Sequence, residues 1–312
     1  MDYTYQYKEV LTLDGLNDHF WSLFISAFSP AERVCAIYER VRADQKDWLI
    51  HHEYQFRADE IPDGSFQTGV RREDEYIVEY IESRLAGIDL TMKSICVDVT
   101  GFMRPHMLYL VHYLNAKGVK RFDVIYTEPG RYERRDATKF ASELVHTVRQ
   151  VAGYEGYATH DTLHDLLIVN AGYEDRLTAE VAEDRDKARK LILLGLPSLK
   201  ADMYQQGLLR TLRARDSLGE GVREFFAPAS DPFATATVLS EMVSKEKKKH
   251  GISNLYLSPL STKPSTLGFA LYYLRECLDK PASILFPYSD TYSTVASSGI
   301  GKIWKYSIEL GS

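Results

Sequence analysis

The feature that most constrains the fold of this 312-residue chain is a strand–turn–helix–strand unit that occurs twice. The first copy spans about 95–129 and the second about 255–287. In each copy a polar turn ends with a basic residue before proline, Arg104 or Lys263, and leads into an amphipathic, tyrosine-rich helix. Two strands joined by a helix pair in parallel. The repeat therefore predicts an α/β fold whose ligand site lies at the carboxyl ends of strands.

Apolar runs of strand length alternate with helical patterns along nearly the whole chain. We therefore predict a Rossmann-like α/β fold, in which a mainly parallel sheet has helices on both faces and contains two similar βαβ units. The chain reads as a single α/β domain over 1–312, or as two lobes, 1–155 and 156–312. The boundary between such lobes would fall near Gly153.

Three segments carry more specific structural predictions. The charged stretch 128–136 is interpreted as a loop, because it follows an apolar strand and contains proline and glycine. The stretch 203–218 is interpreted as one helix. The alternating stretch 302–310 is typical of an edge strand that closes a sheet.

The composition is that of an ordinary globular protein, with 45% hydrophobic residues, 26% charged residues and a net charge of -6. This charge argues against a nucleic-acid partner that covers a whole face. The run 245–250 is either a solvated helix end or a local basic patch. The sequence shows no secretory signal and no membrane-spanning run, so we expect a cytoplasmic protein without membrane contact.

Polar residues follow the first strand of the first copy. Asp98 and Thr100 are expected on one face at the tip of this strand, where a carboxylate could act as a general base or orient a water molecule. Arg104 and His106 begin the next helix and are candidate ligand-binding residues, since a helix N-terminus favours anions. The alternative is that Asp98 or Thr100 caps the turn.

A second acidic candidate, Glu128, follows the adjacent strand together with Arg131. Asp98 and Glu128 are thus the candidate catalytic pair: they could divide the acid and base roles or share a divalent metal. Equally, these carboxylates could form a surface ion-pair network with Arg104 and Arg131.

The second copy offers hydroxyls and a lysine instead of carboxylates. Ser258, Thr262 and Lys263 lie at the carboxyl end of its first strand and at the start of its helix. Ser198 follows another apolar strand and is added to the candidate ligand-binding set. Hydroxyl donors, a positive charge and a helix dipole together suit a phosphate or carboxylate. A solvent-exposed helix cap is the alternative.

Several motifs that would identify a reaction are absent from the sequence. It contains no GxGxxG or P-loop, no GxSxG and no HExxH, so nothing indicates NAD, PLP, triphosphate hydrolysis or serine-hydrolase chemistry. The histidines, including His51 and His52, have no spacing typical of a metal site. The cofactor is therefore unknown, and a divalent metal remains open.

Three segments of the chain resemble uncharacterised bacterial Rossmann-like proteins encoded among anti-phage defence genes. The segments are 24–28 with 32–34, 101–106 and 257–264. The resemblance would cover most of the chain and implies a role in sensing infection or in a toxic response such as nucleotide depletion. It assigns no catalytic residues.

These observations lead to two functional hypotheses from different classes. The first is a protein that binds a nucleotide or sugar phosphate at the strand ends, with hydrolysis of a nucleotide or of an N-glycosidic bond as the reaction. Its site would be a composite of residues from both copies. The second is a non-catalytic interaction protein, an adaptor subunit or homo-oligomer whose tyrosine-rich helices form protein contacts.

Overall fold

The computed structural model describes residues 3, 6–132, 147–172, 174–200, 203–292 and 297–310. The strands, in chain order, are β1 (Tyr7–Leu11), β2 (Trp21–Ala27), β3 (Ala43–Leu49), β4 (Ile95–Asp98), β5 (Arg121–Tyr132), β6 (Thr147–Gln150), β7 (Leu166–Asn170), β8 (Arg189–Gly195), β9 (Arg223–Ala227), β10 (Leu255–Pro259), β11 (Ala282–Tyr288) and β12 (Ser297–Glu309). The helices are α1 (Glu32–Arg40), α2 (Glu73–Arg84), α3 (Arg104–Ala116), α4 (Asp175–Asp184), α5 (Met203–Arg213), α6 (Arg215–Leu218), α7 (Pro232–His250) and α8 (Lys263–Tyr272). Helix α8 continues as a π-helical turn, Tyr273–Cys277.

The chain forms two compact units, each built around its own six-stranded sheet. The first unit comprises Gln6–Ser142 and Thr291–Ser312, and the second comprises Met1–Tyr5 and Glu143–Asp290. The chain thus enters the second unit near residue 143 and returns to the first near residue 291. Both sheets are mixed but mostly parallel, which confirms the α/β class.

The sheet of the first unit has the strand order β1-β12-β5-β4-β2-β3. Its four strands from β3 to β5 are parallel, whereas β12 is antiparallel to β5 and β1 is antiparallel to β12. From β2 the chain first adds β3 on one side and then crosses to β4 on the other. The strand order therefore reverses between β2 and β4, which we call the first switch point.

The sheet of the second unit has the order β6-β11-β10-β7-β8-β9. The strands from β7 to β11 are parallel, and only β6, which pairs antiparallel with β11, breaks the pattern among the described strands. The chain moves outward from β7 through β8 to β9 and then returns to place β10 beside β7. The second switch point lies between β7 and β10.

The central strands are buried because both of their faces are covered. Every residue of β7 is buried, and Leu166, Leu167, Ile168 and Val169 have no exposed surface. Burial on both faces explains why this strand is a continuous apolar run instead of an alternating one. In each repeated unit a helix connects two neighbouring parallel strands: α3 joins β4 to β5, and α8 joins β10 to β11.

The predicted loop at 128–136 is wrong where the structure describes it. Strand β5 continues through Glu128 to Tyr132, because β12 supplies an antiparallel partner along this stretch. Residues 133–136 lie outside the described residues. The predicted edge strand at 302–310 is also wrong in position, because β12 lies between β5 and β1.

The predicted helix at 203–218 is divided into α5 and α6. The break falls at Ala214, which lies between the two helices and is buried. Helix α7 begins at an N-cap: the Asp231 side chain accepts hydrogen bonds from the backbone N–H groups of Phe233 and Ala234, both at 3.0 Å.

Close packing of α7 and α8 depends on a glycine. A Cβ atom at Gly268 would lie 2.5 Å from the backbone oxygen of Pro232 and 2.6 Å from the Cβ of Thr235. Gly207, in the interior of α5, has no atom within 4 Å of the same position. The two helical glycines therefore differ in the space around them.

We expect Gly268→Ala to destabilise the protein by about 1–3 kcal/mol, because the added methyl group forces α7 away from α8. The matched variant Gly207→Ala should stabilise it by about 0.5–1 kcal/mol, since alanine favours a helix over glycine. Urea unfolding followed by circular dichroism measures both effects. Equal effects of the two substitutions would show that the close helix contact is absent.

Candidate functional site

Asp98 lies at the first switch point, where β2 and β4 end side by side. It pairs with Ser26 across the two strands. One carboxylate oxygen of Asp98 accepts a hydrogen bond from the backbone N–H of Thr100 at 3.0 Å, and the other accepts one from the Ser26 hydroxyl at 3.2 Å. The Thr100 hydroxyl oxygen accepts a hydrogen bond from the backbone N–H of Thr127, also at 3.0 Å. This network joins the ends of β2 and β4 to the middle of β5.

The Asp98 carboxylate is fully buried. Burial raises its pKa, while the hydrogen bonds from Thr100 and Ser26 and the charge of Arg33 act in the opposite direction. The Arg33 guanidinium donates to the backbone oxygen of Thr127 at 2.8 Å and so lies beside this network. One oxygen of Asp98 holds the turn after β4, which favours the capping interpretation, and the other joins β4 to β2. A catalytic role for Asp98 stays a prediction.

Glu128 and Arg131 occupy positions along β5 itself. Glu128 is buried, and its carboxylate accepts a hydrogen bond from the indole N–H of Trp304 on β12 at 2.7 Å. Arg131 is exposed and lies opposite Ser298. Because side chains alternate along a strand, an odd spacing places Glu128 and Arg131 on opposite faces. The structure does not bring these two candidates together, and their proposed functions stay predictions.

Arg104 and His106 begin α3, as the sequence indicates. Arg104 is half-buried. Burial of the phenols of Tyr54 and Tyr126 raises their pKa values to about 12, and the positive charge of Arg104 acts in the opposite direction. The guanidinium therefore lies near both phenols. His106 is buried.

The second switch point contains a pocket. Its volume is about 390 Å³, including space open to solvent. The turns that follow β7, β8, β9 and β10 contribute to its wall, together with two residues of α5. The lining residues are Ala171, Gly172, Leu194, Gly195, Ser198, Tyr204, Gly207, Ala229, Ser261 and Thr262.

Two lining glycines permit a close approach of backbone at this pocket. A Cβ atom at Gly172 would lie 2.3 Å from the backbone oxygen of Leu260, which follows β10. A Cβ atom at Gly195 would lie 3.0 Å from the Cβ of Ala229. A larger residue at position 172 would push the ends of β7 and β10 apart, so the shape of the pocket requires glycine there.

The hydroxyl groups of the second copy have internal partners. Thr262 is the N-cap of α8: its hydroxyl oxygen accepts from the backbone N–H of Ser265 at 3.3 Å and donates to the backbone oxygen of Ala229 at 2.5 Å. The Ser198 hydroxyl donates to the backbone oxygen of Lys200 at 2.5 Å. Thr262 and Ser198 both line the pocket, so a ligand would meet hydroxyl oxygens that are already held in place.

Ser258 and Lys263 lie near the pocket in sequence but do not line it. Ser258 is fully buried, and its hydroxyl donates to the backbone oxygen of Leu285, which ties β10 to β11. Lys263 is half-buried in the first turn of α8. The helix-cap alternative therefore describes Thr262, whereas Ser258 joins two strands.

The predicted site residues fall into two sets, one in each unit. The first unit holds Asp98, Thr100, Arg104, His106, Glu128 and Arg131, and the second holds Ser198, Ser258, Thr262 and Lys263. A single composite site made from both sets stays a prediction.

Sequence reasoning missed one group of side chains. Among the described residues, His51, Glu53 and His106 each offer a potential metal-ligand atom, and these three atoms all lie within 4.8 Å of one another. Neither Asp98 nor Glu128 belongs to this group. The available signal was position: His51 follows β3 and His106 follows β4, and the carboxyl ends of parallel strands share one edge of a sheet.

Comparison with known proteins identifies no relative: no protein-family model, no curated protein and no solved structure matches the chain. The resemblance to defence-associated proteins therefore stays a prediction. Within the described part of the chain, no helix has both the length and the apolar character that crossing a bilayer requires.

The raised pKa of Asp98 leads to a prediction about stability and pH. A raised pKa means that the folded protein holds this proton more tightly than the unfolded chain does. The contribution of Asp98 to stability is then fully present below its ordinary pKa and is lost as the pH rises through the folded value. In Asp98→Asn, which mimics the protonated form, this loss should disappear.

Urea unfolding of wild type and Asp98→Asn over a pH series measures the difference. The Asp98→Asn variant should gain stability relative to wild type as the pH rises from the ordinary pKa of an aspartate through the raised pKa of Asp98 in the folded protein. Asp98→Ala should lose roughly 1–3 kcal/mol at neutral pH, because the backbone N–H of Thr100 loses its acceptor. A wild-type-to-Asn difference that is constant with pH would contradict the account of Asp98.

Proposed function

We propose that the second unit binds a nucleotide or another phosphorylated small molecule in the pocket at the second switch point. One observation carries this proposal: the pocket lies where the strand order reverses. In open α/β sheets, ligands bind outside the carboxyl ends of strands at this point.

The strand order of the second unit supports a Rossmann-like interpretation of the pocket. Numbered from β7, the order β9-β8-β7-β10-β11 corresponds to the 3-2-1-4-5 arrangement of dinucleotide-binding folds. The chain lacks the GxGxxG loop of such folds. Gly172 nevertheless provides a close backbone approach in the turn that follows β7, the first strand of that arrangement.

The chemistry of the pocket wall suits a phosphate group. Ser261 and Thr262 line the pocket immediately before α8, a helix of 10 residues. The helix dipole favours an anion at this end of α8, where the backbone N–H of Ser265 is already bound by the Thr262 hydroxyl. Lys263 adds a positive charge in the first turn.

Hydrolysis of a nucleotide or of an N-glycosidic bond remains part of the proposal without a catalytic group assigned in this pocket. Among the described residues that line the pocket, several bear hydroxyl groups and none is a carboxylate, histidine or lysine. The proposal therefore concerns binding first. A role in anti-phage defence and a cytoplasmic location are likewise proposals.

A second function, binding of a protein partner, is favoured by exposed apolar side chains in the same unit. Leu209 and Leu212 on α5 are 58% and 50% exposed, and Phe226 on β9 is 41% exposed. Strand β9 forms one edge of its sheet. Exposed apolar groups beside an unpaired sheet edge are typical of surfaces that bind other proteins.

Thermal-shift measurements with AMP, ATP, ADP-ribose and glucose 6-phosphate test the binding proposal. A ligand at about 100 times its Kd stabilises the folded state by about 2.7 kcal/mol, so the Tm should rise by several degrees. Gly207→Phe should abolish the rise, because Gly207 lines the pocket and has open space beside it.

Leu209→Phe is the matched control, since it places the same side chain on an exposed position of the same helix. This variant should retain the full increase in Tm. No rise for any of the four compounds in wild type would contradict the proposal and favour the protein-partner function. A rise that persists in Gly207→Phe would place the ligand outside this pocket.

A further inference from the structure

The three residues His51, Glu53 and His106 come together at one edge of the sheet of the first unit. His51 lies just beyond the end of β3, Glu53 is in the short 3-10 turn that follows, and His106 is in the first turn of α3. One ligand atom from each residue lies within 4.8 Å of the other two. His106 is distant in sequence from His51 and Glu53, so the fold brings it to the other two.

The two imidazole rings are enclosed by aromatic side chains. His51 has no exposed surface and His106 has 2%. The ring centroids of His51 and His106 are 4.5 Å apart, and Tyr76 lies 5.4 Å from the first and 4.9 Å from the second. Phe102 lies 5.3 Å from His51 with its ring edge-on. This packing limits both rings to small rotations.

The Glu53 segment is also held in place. Its backbone oxygen accepts a hydrogen bond from the backbone N–H of Tyr292 at 2.9 Å, and its side chain is half-buried. After burial, the charge of Glu53 is the next contribution that raises the pKa of Tyr54 and of Tyr76. The carboxylate therefore lies beside the same aromatic side chains that enclose the histidines.

The adjacent histidine, His52, differs from His51 in its exposure and in its partner. His52 is exposed, and its Nε2 atom lies 2.9 Å from the Arg71 guanidinium in a hydrogen bond. His52 does not belong to the group of three. The chain thus offers, at adjacent positions, one histidine inside the cluster and one outside it.

We propose that His51, Glu53 and His106 bind a divalent transition metal ion such as Zn²⁺. Two imidazoles and one carboxylate are ligands that suit zinc, iron, nickel or copper, whereas Mg²⁺ and Ca²⁺ prefer sites made of oxygen atoms. Three protein ligands leave a fourth position for water or substrate, as in catalytic zinc sites. The ion would lie at the carboxyl ends of β3 and β4, on the sheet that carries the first switch point.

The geometry requires only a small adjustment. Tetrahedral zinc with ligands at about 2.0–2.1 Å places the ligand atoms about 3.3 Å apart. Ligand atoms that lie within 4.8 Å therefore need to close by up to about 1.5 Å. Rotation of the half-buried Glu53 side chain and small rotations of the imidazoles about their side-chain bonds supply such a movement.

Titration of the metal-stripped full-length protein with Co²⁺ tests this proposal, because cobalt takes zinc sites and its visible absorption reports the coordination. We expect one Co²⁺ per chain with the intense bands of a four- or five-coordinate site. Zn²⁺ should displace it, and a large excess of Mg²⁺ should not. Wild type that gives no bands and no saturable binding would overturn the proposal.

Three variants and one control identify the ligands. His51→Ala, His106→Ala and Glu53→Gln should each weaken binding by more than about tenfold, since even changes beyond the direct ligands cost 10–100-fold. His52→Ala should bind within about twofold of wild type, because it leaves those ligands intact. Glu53→Gln preserves the size of the side chain, so it remains informative if a buried-histidine variant fails to fold.

The variants also distinguish a metal site from aromatic packing alone. Stoichiometric Co²⁺ binding that persists in a folded Glu53→Gln or His106→Ala variant would overturn the assignment of ligands. Loss of binding in His52→Ala alone would place the metal elsewhere. The readout does not depend on any ligand of the second unit, so failure here and failure of the proposed function are separate results.

Discussion

Close contact between backbone segments at the two switch points is the constraint on which the rest of the structure depends. In the first unit a Cβ atom at Gly101, just after β4, would lie 2.0 Å from the backbone oxygen of Ala27 at the end of β2. In the second unit a Cβ atom at Gly172, just after β7, would lie 2.3 Å from the backbone oxygen of Leu260. Only glycine allows such strand ends to approach so closely. Each contact fixes the spacing of the turns that carry the candidate site residues.

The two units differ in the polar groups and the open space found at these strand ends. In the first unit the buried network of Asp98, Ser26 and Thr100 joins neighbouring strands with hydrogen bonds, so the polar groups satisfy one another. In the second unit small residues leave a pocket open, and Thr262 has a hydroxyl oxygen fixed at a helix N-terminus. A closed polar network favours a structural role, whereas an open pocket at a helix N-terminus favours a ligand.

The sequence was sufficient to predict most strands and helices, because burial imposes periodicity on local stretches of chain. The runs at 166–169 in β7 and 284–287 in β11 are apolar throughout, since both faces of these strands are covered. The extension of β5 through Tyr132 could not be predicted in this way. It depends on β12, whose Ser298 pairs with Arg131 from a distant part of the chain. The pairing of β1 with β12 is equally non-local.

For the candidate site residues, the sequence predicts which of them lie at strand ends but not which side chains they contact. The repeated unit correctly places Asp98 and Thr262 at strand ends, but the sequence cannot show that Asp98 faces Ser26 or that Glu128 faces Trp304. Nor can it show that His51 meets His106, because these residues follow different strands and have no regular spacing. Side-chain partners at a sheet edge depend on strand order, which a single sequence specifies only through long-range packing.

The central claim is that the second switch point is a ligand site, and hydrogen–deuterium exchange with AMP or glucose 6-phosphate tests it most directly. Bound ligand should slow exchange in peptides that cover 171–172, 195–198 and 261–262, the turns around the pocket. Peptides from β1 and α2 should exchange at unchanged rates. Protection by neither compound, or protection confined to peptides outside the pocket, would contradict the account.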